Sequence, residues 1–208
     1  MRRIILPAVL VLLLWPTVSS ARNTDRCWLS LGVVGGPAVF TEPELKDEFN
    51  IPVQFELELK YYLWKPFSIA GTFGYLYGEG RPLRAEWHQQ WVNYDGHGVS
   101  FWRGYTFGVL GRIEIGRYWR VNPYLGGGFG GAYNSVERSG KLKGSAISDS
   151  NGEYVFQYPT LVGFDFLLNK VIAIRLEGRW TFMPTNDSFT DERRFDFWSA
   201  LIGLQFYF

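Results

Sequence analysis

The sequence predicts an all-β chain: eight antiparallel strands, running up and down, that close into a transmembrane β-barrel. Three observations carry this expectation. Apolar and polar residues alternate with period two along segment after segment, the pattern of strands with two different faces. The connections between those segments alternate between short and long. Aromatic residues make up 18% of a chain whose 20% charged content, formal net charge of +1 and mean hydropathy of −0.08 otherwise match a soluble domain.

Composition removes several classes. With 47% hydrophobic residues and almost no net charge, the chain is not disordered. No run reaches the roughly 20 apolar residues of a membrane-spanning helix. The balanced charge argues against nucleic acid as a partner. Residues 1–21 read as a cleavable secretory signal peptide: Arg2 and Arg3, an apolar stretch from Ile4 to Trp15, then Pro16 and the small residues Ser19, Ser20 and Ala21. Residues 22–208 form the barrel. Cys27 is the single cysteine, so no intrachain disulfide forms. Thr24, Asp25 and Arg26 before it do not make a lipid-attachment box, and Cys27 reads as a small side chain in the first strand.

The alternation is clearest in three places. In the first, Val53, Phe55, Leu57, Leu59 and Tyr61 share one face, and Gln54, Glu56, Glu58 and Lys60 the other. In the second, Ile172, Ile174, Leu176, Trp180 and Phe182 oppose Ala173, Arg175, Glu177, Arg179 and Thr181. In the third, Trp198, Ala200, Ile202, Leu204, Phe206 and Phe208 oppose Ser199, Leu201, Gly203, Gln205 and Tyr207. Extended along the chain, the pattern gives strands at 27–40, 51–63, 67–78, 99–115, 121–133, 154–168, 171–183 and 195–208. Gly126, Gly127, Gly128, Gly130 and Gly131 lie in the fifth. No helix follows them, so they read as a curved strand beside a narrow interior and not as a nucleotide loop.

The short connections are 64–66, 116–120 and 169–170. The long ones are 41–50, 79–98, 134–153 and 184–194. With an even number of antiparallel strands, all short turns fall at one end, as in outer-membrane barrels. Aromatics near strand ends fit two interfacial girdles: Tyr61, Trp119, Tyr124, Phe206 and Phe208 on the periplasmic side, and Tyr75, Tyr77, Tyr133, Phe156, Trp180 and Trp198 on the outer side. A soluble exported barrel is the competing arrangement. It would turn the apolar rows inward.

On this loop pattern, on Asn122-Pro123-Tyr124-Leu125-Gly126-Gly127-Gly128, and on Gly203-Leu204-Gln205-Phe206-Tyr207-Phe208, residues 27–208 resemble the OmpA-type and OmpX-type superfamily of small outer-membrane barrels. The resemblance implies a bacterial outer-membrane location among outer-membrane lipids and lipopolysaccharide. It also implies that Leu204, Phe206 and Phe208 act as a carboxy-terminal signal read by the barrel-assembly machinery.

If the aromatic faces meet lipid, the polar rows fill the lumen. Lys60, Arg112, Arg175 and Arg179 then stand against Glu56, Glu58, Glu114, Asp165 and Glu177. Ions of both signs in so narrow a space are expected to pair, because an unpaired buried ion is costly. The interior therefore reads as a salt-bridged plug. A narrow transport channel is the alternative, although no excess of one sign lines a selective path.

Catalytic chemistry has few candidates. His88 and His97 are the only histidines, and a nucleophilic site would need His97, Ser100 and Asp95 or Glu86 to converge. The resemblance to small outer-membrane barrels implies a lipid A acyl-modifying enzyme as the alternative, with exposed loop histidines the simpler reading. Two histidines without a third ligand do not make a metal site, and no cofactor is expected. Contact residues are easier to find. The second long loop mixes Trp87, Trp91 and Tyr94 with Arg81 and Arg84, a composition suited to binding an extracellular ligand. The first is acidic (Glu42, Glu44, Asp47 and Glu48). The third, with Arg138, Lys141 and Lys143 among Ser and Gly, reads as a mobile loop. The expected role is structural or surface-interacting, as a monomer.

Overall fold

The structure is a computed structural model that describes residues 28–81, 84–87, 90–93, 98–115, 120–142, 145–184 and 194–208. Its elements are β1 (Leu29–Phe40), α1 (Pro43–Glu48), β2 (Val53–Trp64), β3 (Phe67–Gly80), β4 (Arg84–Trp87), β5 (Gln90–Asn93), β6 (Gly98–Glu114), β7 (Val121–Leu142), β8 (Ser145–Leu167), β9 (Ile172–Phe182) and β10 (Phe197–Tyr207). Eight strands close into a barrel in the order β1-β10-β9-β8-β7-β6-β3-β2. Every neighbouring pair is antiparallel. β4 and β5 form a separate hairpin. The signal-peptide segment and Cys27 lie outside the described residues.

Stagger follows from the register. Residue-to-residue pairing runs Tyr154, Tyr133, Tyr105, Tyr75, Phe55, Gly35, Ile202, Leu176 and back to β8 at Phe164, ten residues along. A stagger of that size tilts the strands and leaves an interior only wide enough for side chains.

The faces are inverted relative to a soluble barrel. Phe55, Leu57 and Leu59 are at least half exposed on the outer surface, while Gln54, Glu56, Glu58 and Lys60 are buried within. The same parity holds in β9 and β10, where Arg175, Glu177, Arg179, Ser199 and Gln205 point inward. An apolar shell around a closed, hydrogen-bonded cylinder is what hydrocarbon demands, because lipid cannot satisfy backbone groups. Across β3, β6, β7 and β8 the shell ends in registered rows. Phe73, Phe107, Gly131 and Phe156 make one. The next is entirely tyrosine: Tyr75, Tyr105, Tyr133 and Tyr154. The third is Tyr77, Arg103, Ser135 and Gly152. Apolar, amphipathic and polar side chains succeed one another as the strands leave the membrane.

Four expectations need correction. Tyr124 is not in the girdle. It shares parity with Asn122 and is buried in the lumen at 1% exposure. The 134–153 segment is not an irregular loop, since β7 runs on to Leu142 and β8 starts at Ser145. Above the membrane neither face of this ribbon meets lipid, so the alternation that marks the lower strand disappears from the sequence. The first long connection contains α1, opened by Pro43 in its first turn, and the second contains the β4–β5 hairpin.

The glycines of β7 have a steric cause. A Cβ at Gly128 would lie 2.0 Å from the Val109 carbonyl oxygen, and one at Gly130 would lie 2.1 Å from that of Phe107. β6 and β7 approach too closely there for any side chain, and the strands bend around the small interior.

Candidate functional site: a lumen closed twice, and its outer rim

The lower half of the lumen holds a continuous ionic network. At its foot, Lys60 Nζ lies 2.8 Å from Glu114 Oε1 and 3.7 Å from Asp165 Oδ2. Ser68 and Asn122 each donate to Glu114 at 3.0 Å. Arg175 grips Asp165 with two bonds of 2.8 and 3.0 Å, and Tyr207 donates to the same carboxylate at 3.2 Å. One layer up, Glu58 accepts from Arg112 at 2.6 Å and from Arg175 at 2.7 Å. Arg112 also reaches Glu177 at 3.0 Å. At the top, Arg179 bridges Glu56 at 2.8 Å and Glu177 at 2.6 Å.

All nine charged residues expected in the lumen face it and pair within it. Four cations meet five carboxylates, each buried and held by more than one hydrogen bond or ion pair; Glu56 accepts two, both from Arg179. Multiple partners are the condition under which buried ions are tolerated. Sequence reasoning missed the aromatic members. The Tyr124 ring lies beneath two guanidiniums, 4.9 Å from Arg112 and 5.2 Å from Arg175, and its hydroxyl donates to Glu177 at 2.9 Å. Tyr62 and Tyr207 stack at 6.3 Å, and Lys60 sits 4.9 Å from the Tyr62 ring. Strand parity would have found them: Tyr62 follows Lys60 by two, and Tyr207 lies on the polar face of β10.

The upper half of the lumen is apolar. Phe40, Phe49, Trp102, Phe195 and Phe197 pack ring to ring at 4.8–6.4 Å, with Leu45 of α1 above them. The Trp102 indole donates to Asn134 at 3.2 Å, which satisfies its one polar atom. Above this plug, Arg138 of β7 makes two bonds of 2.6 and 3.0 Å to Glu48 at the end of α1. The first long connection is thereby fastened across the barrel mouth.

The weak catalytic candidates do not assemble among the described residues. His88, Asp95 and His97 lie outside them, as does Tyr94. Ser100 is fully buried on the inner face of β6, in register with Gly80 and Arg138. Among the contact candidates, Trp87 and Trp91 belong to the β4–β5 hairpin, as does Arg84, which pairs with Asn93. Arg81 is exposed, and its backbone N–H donates to the Glu48 carbonyl at 2.8 Å. Of the carboxy-terminal signal, Leu204 and Phe208 stand exposed on the lipid side, and Phe206 is half-buried beside them.

No protein-family model matches the sequence, and no curated protein matches it either. Solved structures do match in fold. The attachment invasion locus protein Ail of Yersinia pestis is 13% identical with a TM-score of 0.56, over 88% of this chain and 99% of that one. Neisserial surface protein A is 12% identical with a TM-score of 0.57, over 86% of this chain and 97% of that one. The chain is an outer-membrane-type β-barrel. The outer membrane protein OprG of Pseudomonas aeruginosa shares the fold at 11% identity and a TM-score of 0.50, over 90% of this chain and 99% of that one. Likeness at this level speaks to fold alone. The barrel's own outward apolar shell around a charged lumen agrees with a location in an outer membrane.

Proposed function

We propose that this outer-membrane barrel works as a surface-interaction protein and not as a conduit, and that its working part is the sheet that β6, β7 and β8 raise above the membrane. The pairing of β8 carries this reading. Among the described residues, β8 pairs with β9 only from Tyr158 to Leu167, whereas its pairing with β7 continues up to Ser145. Positions 145–157 therefore rise with β7 as a paired ribbon beyond the last β9 partner among the described residues. The base of the raised sheet is held from its other side, where Asn50 donates to Glu79 and Arg81 to Glu48, and Phe49 bridges Gly80. A polar ribbon raised clear of the apolar shell offers an extracellular protein a preformed surface.

The occupant is an extracellular protein, since the ribbon stands outside the lipid-facing shell. Ail, a solved neighbour in fold, is named for attachment and invasion, which is compatible with this assignment. The test is to pan a phage-displayed peptide library on the protein in nanodiscs. A second selection uses a variant in which Asn134 is joined to Glu153, its partner in register, by a two-residue turn. Peptides enriched on the full chain should be lost on the shortened one. Enrichment that survives the shortening refutes the assignment.

A further inference from the structure

We propose that the periplasmic half of the barrel surface carries a site for one anionic phospholipid, independent of the surface-interaction reading above. A groove of about 460 Å3 runs down the lipid-facing side of β3, β6 and β7. Its floor is formed by Gly111 and Gly127, which are paired in register. Its walls include Ile69, Ile113 and Leu125, and it ends against Trp64 and Phe67 beside the β2–β3 turn. The notch exists because both floor residues lack side chains. A Cβ at Gly111 would meet nothing nearer than the Gly127 carbonyl oxygen at 3.9 Å.

Two other apolar grooves lie on the shell, one around Gly71 and Phe73 and one around Gly178 and Val162. Their linings stay in mid-strand. The Gly111–Gly127 groove alone among these three is lined by residues that flank a turn, Trp64 and Phe67, and the chemistry of its foot selects the occupant. Lys65 follows Trp64 directly, and Arg120 precedes β7; both are exposed. The three short connections together carry Lys65, Arg117, Arg120 and Lys170 and no acidic residue. The long connection at α1 is acidic by contrast, with Glu42, Glu44, Asp47 and Glu48 against Lys46. An acyl chain laid in the groove would bring its headgroup phosphate to Lys65 and Arg120, with the half-exposed Trp64 ring at the interface between chain and headgroup. A neutral lipid could fill the groove but would gain less from its foot.

The occupant is therefore a phospholipid of the periplasm-facing leaflet with net negative charge. Native mass spectrometry of the purified barrel, reconstituted with equal phosphatidylglycerol and phosphatidylcholine, tests the site. One phosphatidylglycerol should be retained preferentially. Lys65→Gln and Arg120→Gln should each reduce that preference by about fivefold, the effect of one cation at an anionic surface. Gly111→Leu should abolish retention of either lipid, with the barrel's heat-modifiable gel mobility unchanged. Equal retention of the two lipids by the parent, an unchanged preference in both charge variants, or full retention in a folded Gly111→Leu barrel would each overturn the proposal. The turn variants alter exposed side chains and remain informative if Gly111→Leu fails to insert.

Discussion

Arg112 and Arg175 share one oxygen atom, Glu58 Oε1, at 2.6 and 2.7 Å. Arg112 also reaches Glu177 and Arg175 also reaches Asp165, so Glu58 is the joint between two arms of the lumen network. Glu58→Ala should cost about 3–5 kcal/mol, the penalty for leaving buried charge without its partner. Glu58→Gln, which keeps an acceptor, should cost less. The exposed pair Arg103–Glu137, at 3.2 Å and nearly half accessible on both sides, should contribute no more than about 1 kcal/mol. Denaturant unfolding in phospholipid vesicles, followed by tryptophan fluorescence, measures all three.

Two chemically different layers fill the described lumen, and the closed-lumen reading makes either one enough to block it. Planar-bilayer recordings on the parent protein should show no steady conductance. Phe40→Ala with Trp102→Ala should remain silent, because the network from Lys60 to Arg179 still fills the lower half. A stable open level in the parent would refute the closed-lumen reading.

Glu48 and Arg138 fasten α1 to β7 with two charge-assisted bonds. Such bonds are individually worth about 1.5–3 kcal/mol. Glu48→Gln should loosen α1 without unfolding the barrel. Trypsin cleavage after the exposed Lys46 reads this directly, and the variant should be cut at least tenfold faster than the parent at the same protease concentration.

Position on the shell should set the cost of a charge. Leu57 faces lipid well inside the apolar belt, and Leu57→Arg should destabilise by about 2–4 kcal/mol. Ser150, on the raised part of β8, should accept arginine at about 0–1 kcal/mol. Equal costs at the two positions, measured in the same vesicles, would contradict the assigned membrane boundary.

The parts of this fold legible in the sequence are those where two solvents meet one strand. Between Val53 and Tyr61, lipid on one side and packed ions on the other force strict alternation, and the structure places Phe55 outside and Glu56 inside as that alternation requires. The charged lumen residues could be named for the same reason, since Glu58 or Arg175 has no tolerable place in lipid. The limits have physical causes too. Above Tyr133 both faces of β7 are wet or shielded by protein, so Ser135, Glu137 and Ser139 carry no strand signature although they are paired throughout. The sequence assigns Phe40, Trp102 and Phe197 to neither lipid nor lumen, because a ring is equally suited to a membrane and to a plug. Which of the two it joins depends on parity near a strand end, where one residue of slip reverses the answer.

The ionic network also bears on how the barrel comes into being. Two of its links join positions far apart along the chain, 117 residues between Glu58 and Arg175 and 123 between Glu56 and Arg179. Arg175 meets Asp165 within the β8–β9 hairpin, but no hairpin of consecutive strands brings Glu56 or Glu58 to these arginines. A partly inserted sheet would hold Glu56 and Glu58 with no cation from β9 in reach, at the depth where bare charge is least tolerated. Early strands are thus penalised for entering lipid before the late ones arrive, and the ions act as a checkpoint that favours insertion of the cylinder in one concerted event.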